Sequence, residues 1–124
     1  MTQVDRKKKK KMNSAVIVGR AGQDPEVKYF ESGKVKTSFS LAVNRWDSKT
    51  KAEVTDWFNI DVWDKQAEFA ADYVKKGRLV AIDGVIANNR WVDKTTNNER
   101  ENFYIRANTI KLLGSKKDAK EAVL

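Results

Sequence analysis

Apolar and polar residues alternate with a period of two over most of this chain, and the period lengthens to 3.6 only once. Successive side chains of a strand point to opposite faces, so parity sorts them. The stretch that organises the rest is Val54 to Trp63, V-T-D-W-F-N-I-D-V-W. Val54, Asp56, Phe58, Ile60 and Val62 share one face, which reads as a core face. Thr55, Trp57, Asn59, Asp61 and Trp63 share the other, which is left to water yet carries two of the chain's four tryptophans. Val35 to Trp46 repeats the pattern: Val35, Thr37, Phe39, Leu41 and Val43 lie on one side, and Lys36, Ser38, Ser40, Ala42, Asn44 and Trp46 on the other. A third indole again falls on the small, polar face.

The remaining elements follow in order. Ser14 to Val18 is a short apolar strand, stopped by Gly19-Arg20-Ala21-Gly22. Two glycines three apart make a phosphate-clamping loop of the KH type only between helices; a strand precedes these, so a turn is expected. Asp24-Pro25 continues the break, Val27 to Phe30 is extended, and Glu31 to Lys34 is a turn. Asp47 to Glu53 is a charged hairpin loop. After Trp63 the helical period begins: Asp64 is the expected N-cap, and Ala67, Ala70, Ala71 and Val74 mark one face. Phe69 and Tyr73 lie beside that face and read as core packing, while Lys75, Lys76 and a C′ Gly77 end the helix. Arg78 to Val92 returns to strand; Gly84 suggests a bulge where parity slips, so counting assigns no face to Trp91. Asp93 to Arg100 is a hairpin tip, and Phe103 to Leu113 is the last strand. The expected class is all-β with one helix, in the order three strands, helix, two strands. That order matches the OB-fold, a five-stranded, partly open Greek-key barrel, with its helix between strands 3 and 4.

Composition narrows the chemistry. A chain of 124 residues has a one-domain length. It has no cysteine and no histidine, which removes disulfides, thiolate nucleophiles, imidazole bases and the common zinc sites; no metal and no cofactor is expected. No apolar run approaches the roughly 18 residues that span a membrane, and no signal peptide opens the chain, so a soluble intracellular protein is expected. The net charge of +8 sits mostly outside the folded region. Residues 1–11 carry six basic side chains against one acid, residues 115–124 carry three against two, and +2 remains for residues 12–114. The expected organisation is a disordered basic arm at 1–11, a folded domain at 12–114 and a short flexible tail at 115–124. The arm reads as a functional extension, an upstream start before Met12 or an expression artefact.

Indoles on a polar strand face are either ordinary half-buried sheet residues or a platform for stacking. OB barrels bind single strands with aromatic platforms beside a basic groove, and stacking tolerates any sequence because every base has a π-face. Three rivals are weighed. An RNA binder would differ by contacts to the 2′-hydroxyl. A metal-dependent nuclease would rest on Asp61 with Asp64, although Asp64 is better used as a helix cap. An assembly module would bury its tryptophans against protein.

From Met12 to Gly114 the chain closely resembles the bacterial single-stranded DNA-binding proteins. The matching stretches are M-N-S-A-V-I-V-G-R-A-G-Q-D-P-E-V-K-Y, T-D-W-F-N-I-D-V-W, A-D-Y-V-K-K-G and N-R-W, in order and at family spacing. The resemblance implies a non-enzymatic homotetramer that coats single-stranded DNA in replication, recombination and repair. It implies a cytoplasmic, nucleoid-associated protein, or one in a bacterium-derived organelle. The family's stacking positions fall on Trp46, Trp57, Trp63 and Trp91, the last on resemblance alone. Its basic residues near the strand fall on Lys49, Lys65, Lys76 and Arg90, with Arg20, Arg45 and Arg106 as weaker candidates. Two departures stand out. Phe58 takes the place of a histidine that many members carry at a subunit interface. The chain stops at Glu121-Ala122-Val123-Leu124, where the family has a long linker and an acidic tip that recruits replication and repair proteins.

Overall fold

The computed structural model describes residues 11–114. Its elements are β1 (Ala15–Ala21), β2 (Glu26–Tyr29), β3 (Val35–Asp47), β4 (Ala52–Trp63), α1 (Asp64–Tyr73), β5 (Leu79–Val92) and β6 (Glu99–Leu113). The strands form one sheet in the order β1-β5-β6-β4-β3-β2. β1 closes it by also meeting β3 at Arg20↔Ala42 and Ala21↔Leu41. All pairs are antiparallel except β4 with β6, which meet at Ile60↔Ile105 and Asp61↔Arg106. This is an OB barrel with one strand more than the pattern predicted. The extra strand is β2, which pairs with β3 from Glu26↔Ser38 to Tyr29↔Val35. Its four side chains are all exposed, so no alternation betrayed it, and the helix falls between strands four and five rather than three and four.

The central hairpin matches its parity. β3 and β4 run together through twelve consecutive pairs, from Lys36↔Trp63 to Asp47↔Ala52. Leu41, Ile60 and Val62 are fully buried on its inner side with Val80 and Ile82, and Phe39 and Ile105 join them. Phe58 packs half-buried against the same cluster. Ala67, Ala70 and Val74 add no exposed surface. The buried Thr37 satisfies its hydroxyl by donating to the Ala67 carbonyl at 2.6 Å, since an unpaired hydroxyl there would be costly. That bond ties α1 to β3.

Four local readings change. β1 does not stop at Gly19, because Gly19 and Arg20 pair with Val80 and Leu79. Trp63, not Asp64, occupies the N-cap position, and no side chain caps the helix. Asp64 instead takes a left-handed φ of 61°, a conformation that Asp tolerates better than most residues. The helix ends at Tyr73; Gly77 serves the following turn, where its φ is 87° and its N–H donates to the Ala21 carbonyl. Lys75 does reach back, donating from Nζ to the Ala71 carbonyl at 3.0 Å. Phe69 and Tyr73 meet as a tilted pair with ring centroids 5.0 Å apart but are exposed, because the alanines and Val74 already fill the barrel side of the helix.

The bulge near Gly84 is present, on the other strand. Asp83 pairs with Thr109 and Gly84 with Ala107, which leaves Asn108 of β6 unpaired. Gln66 of α1 donates to the Asn108 carbonyl. β5 itself keeps its parity from Leu79 to Val92. Gly84 is needed because a Cβ there would run into the Arg106 carbonyl and within 2.9 Å of the Ala107 Cα. Both obstacles are backbone and cannot swing aside. Gly84→Ala should therefore lower stability by about 1–3 kcal/mol, read as a lower urea midpoint at unchanged m; matching midpoints would show that the bulge yields freely.

Candidate nucleic-acid interface

Cross-strand partners share a face, so the β3–β4 register builds the outer surface in rows. Trp46 lies across from Glu53, Asn44 from Thr55, Ala42 from Trp57, Ser40 from Asn59, Ser38 from Asp61, and Lys36 from Trp63. Two rows are locked by side-chain hydrogen bonds: Thr55 Oγ1 donates to Asn44 Oδ1 at 2.7 Å, and Ser38 Oγ to Asp61 Oδ1 at 2.8 Å. Trp46 and Trp57 are 62% and 59% exposed, far more than a half-buried packing role requires. Trp57 lies over Gly22, where any Cβ would collide with the indole, so this glycine leaves room for the ring.

Trp63 is placed differently. It is half-buried and stacked on Phe30, with ring centroids 5.4 Å apart and planes 24° apart. The Lys36 ammonium lies 5.8 Å from its ring centroid. For Trp91 the β5–β6 register supplies the face that counting left open. Asn89↔Asn102, Ala87↔Tyr104 and Trp91↔Arg100 share one side. Asn89, Asn102 and Tyr104 line the groove described next, so Trp91, 47% exposed, continues that side toward the hairpin tip.

The groove has a volume of about 490 Å³. One wall is the outer face of β3 and β4, with Lys36, Ser38, Ser40, Asn59, Asp61 and Trp63; the other carries Asn89, Asn102 and Tyr104. Gln23, Asp24 and Glu26 line it as well, with Phe39 and Ile60 between the walls' polar groups. Its charged side chains are thus one lysine and three acids.

The basic candidates are scattered around it. Arg106 lies exposed on β6 across from Asp61. Lys65 is exposed in the first turn of α1, and Lys76 is exposed where its N–H meets the Asp24 carboxylate at 2.9 Å. Lys49 is exposed in the β3–β4 loop, its N–H held by Asp47 Oδ1. Arg20 is half-buried and donates to the Gly77 carbonyl. Arg45 and Arg90 sit one residue from Trp46 and Trp91 and so face the other way, paired with Asp56 at 2.6 Å and Glu101 at 3.7 Å. Lys36 does not stand out in the sequence, although parity puts it on the wet face; its place against Trp63 depends on a register set by the hairpin loop. Asn89, Asn102 and Tyr104 escape sequence reasoning because β5 and β6 show no clean alternation toward their tip.

As chemistry, the arrangement can stack planar rings and hydrogen-bond their edges. Among the described residues no three carboxylates gather as a metal site would require. Asp61 is engaged by Ser38 and Lys36, and Asp64, the second acid of the nuclease reading, starts the helix.

Residues 12–113 match the model of the single-strand binding protein family. Single-stranded DNA-binding protein 1 of Synechocystis is 51% identical over 113 residues, covering 91% of this chain and 93% of that protein. The single-stranded DNA-binding protein of Neisseria meningitidis serogroup A is 36% identical, covering 86% of this chain and 63% of its own. A solved Plasmodium falciparum SSB in complex with single-stranded DNA superimposes with a TM-score of 0.76 at 26% identity, covering 86% of this chain and 98% of that one. The chain belongs to the single-strand binding protein family.

Proposed function

We propose that this protein binds and protects single-stranded DNA, without strong sequence preference and without catalysing a reaction, during replication, recombination and repair. The observation that carries this reading is that Trp46, Trp57, Trp63 and Trp91 share the outer side of the strands, with Trp63 in the groove wall. Each indole offers a ring face to a base, and such stacking contributes about 1–3 kcal/mol per base. Lys49, Lys65, Lys76 and Arg106 are free to meet backbone phosphates from the groove's surroundings. Arg20 contributes only from a half-buried position, and Arg45 and Arg90 by exchanging a carboxylate for a phosphate. The folded unit is residues 12–114; the basic arm lies outside the described residues except for Lys11.

Self-association into a homotetramer belongs to the same proposal. Val16 and Val18 project from β1 at 71% and 48% exposure, and bare sheet edges with apolar flanks favour pairing with another copy. Phe58 keeps an aromatic ring at the position where many relatives place a histidine. No described helix is long and apolar enough to cross a membrane, and we place the protein on DNA in the bacterial cytoplasm or a bacterium-derived organelle.

Three outcomes are expected. Oligo(dT) quenches tryptophan emission, and Trp57→Ala weakens binding by about 1–3 kcal/mol with unchanged circular dichroism; an unfolded variant would make the residue structural, and equal affinity for the RNA homopolymer oligo(U) would favour the RNA reading. Sedimentation at micromolar concentration gives a species several times the 14.2 kDa chain; a monomer alone would remove the tetramer. Deleting residues 1–11 makes the dependence of log K on log salt shallower, by about 0.7 for each phosphate the arm had neutralised, while maximal quenching stays unchanged. Superimposable slopes would leave the arm without a part in binding.

A further inference from the structure

The hairpin of β5 and β6 outruns the strand beside it. β1 pairs with β5 only as far as Ala15↔Gly84, so from Ile86 onward one edge of β5 meets no strand among the described residues. Asn13 takes the next position with its side chain. Its Nδ2 donates to the Ile86 carbonyl at 2.7 Å, and the Ile86 N–H donates to its Oδ1 at 2.9 Å. Along a strand the backbone groups of successive residues alternate between the two edges. Asn88, Arg90 and Val92 therefore aim their N–H and C=O groups at the same edge as Ile86. A bare edge of this kind is a template for another strand. On the groove side of the hairpin, Trp91 lies across from Arg100, which Asp93 holds at 3.5 Å. Arg90 faces the other way, paired with Glu101. Neither strand offers an unengaged cation next to this indole.

We infer that residues 7–11, five consecutive lysines, add to this edge when single-stranded DNA binds, continuing the β1–β5 register. This rests on the reading of the groove as a single-stranded DNA surface. The occupant follows from continuity, because Asn13 is already fixed beside Ile86 and β1 runs antiparallel to β5. Counting on from Ala15↔Gly84, Lys11 falls across from Asn88, Lys10 from Asn89, Lys9 from Arg90, Lys8 from Trp91 and Lys7 from Val92. The lysine run thus ends where β5 ends. Partners across a ladder share a face. Lys8 and Lys10 therefore stand with Trp91 and Asn89 on the groove side, and Lys7, Lys9 and Lys11 stand behind it. There Lys9 comes opposite Arg90, whose charge Glu101 offsets at 3.7 Å. Lys11 and Met12 are exposed and outside the ladder, in keeping with the mutual repulsion of successive like charges. Phosphates on the groove side relieve that repulsion and favour the pairing.

The test compares two full-length variants of equal charge, Lys8→Gln with Lys10→Gln, and Lys9→Gln with Lys11→Gln. Each is titrated with oligo(dT) at several salt concentrations and followed by tryptophan quenching. Both pairs precede β1, so neither touches the core. The first should make the slope of log K against log salt shallower by about 1.4, two contacts at about 0.7 each; the second should change it by less than half as much. Hydrogen exchange gives the structural readout. Saturating oligo(dT) should slow the amides of Asn88, Arg90 and Val92, and Lys9→Pro should abolish the slowing, since proline cannot donate to a ladder. Equal slopes for the two pairs, amides that DNA does not slow, or slowing that survives Lys9→Pro would each overturn the inference, leaving the arm a diffuse charge. Slowing without DNA that grows with protein concentration would also overturn it, by placing a second copy on the edge. Absence of quenching by oligo(dT) in the unaltered protein would overturn the DNA reading itself, and this inference with it.

Discussion

Every placement on the longer wall of the site descends from the twelve-pair ladder between β3 and β4. A sheet has two sides, and pairing fixes which side each residue takes. A slip of β4 by one residue would turn Ile60 and Val62 to water and press Trp57 and Asp61 into the barrel. The burial of those aliphatics therefore holds the outer rows in register as firmly as it holds the core. The platform is rigid because its reverse side is the hydrophobic centre of the domain.

This explains why so much is legible in the sequence. Strict alternation over Val35 to Trp46 and Val54 to Trp63 announces both strands, their faces and three outward indoles. What stays hidden is what alternation does not encode. β2 is an edge strand with four exposed side chains, so nothing in its composition marks a buried face. The start of α1 is misleading because Asp64 fits the composition of a cap, whereas the backbone takes a left-handed step there. Phe69 and Tyr73 look like core because aromatics at helical spacing usually are; here small alanines fill that role and leave the rings outside. Counting gives Trp91 no face because the glycine nearby suggests a slip on its own strand, when the slip belongs to the partner.

The site also shows how little net charge says about a binding surface. The groove lining has more acids than bases, and two arginines beside outward tryptophans point away from them, held by carboxylates. In the proposed mode of binding, recognition is organised by ring faces and amide edges, with cations at the periphery. Such a surface holds bases closely and the backbone loosely, which suits a protein that must be displaced when the strand is copied or paired.

The unpaired Asn108 has a further meaning. Where the β5–β6 ladder skips a residue, a backbone carbonyl is released from the sheet, and Gln66 from α1 takes it. The defect in one element is thereby an anchor for another, and the helix gains a second tie, beside that of Thr37, at the point where those two strands fail to match. The domain consequently constrains the length of its chain more tightly than its composition at this place. Many side chains could stand at position 108, since only the carbonyl is used, but removing the residue would straighten the hairpin and take away the acceptor that Gln66 uses. Drift in this region of the gene should accumulate as substitutions and spare the reading length.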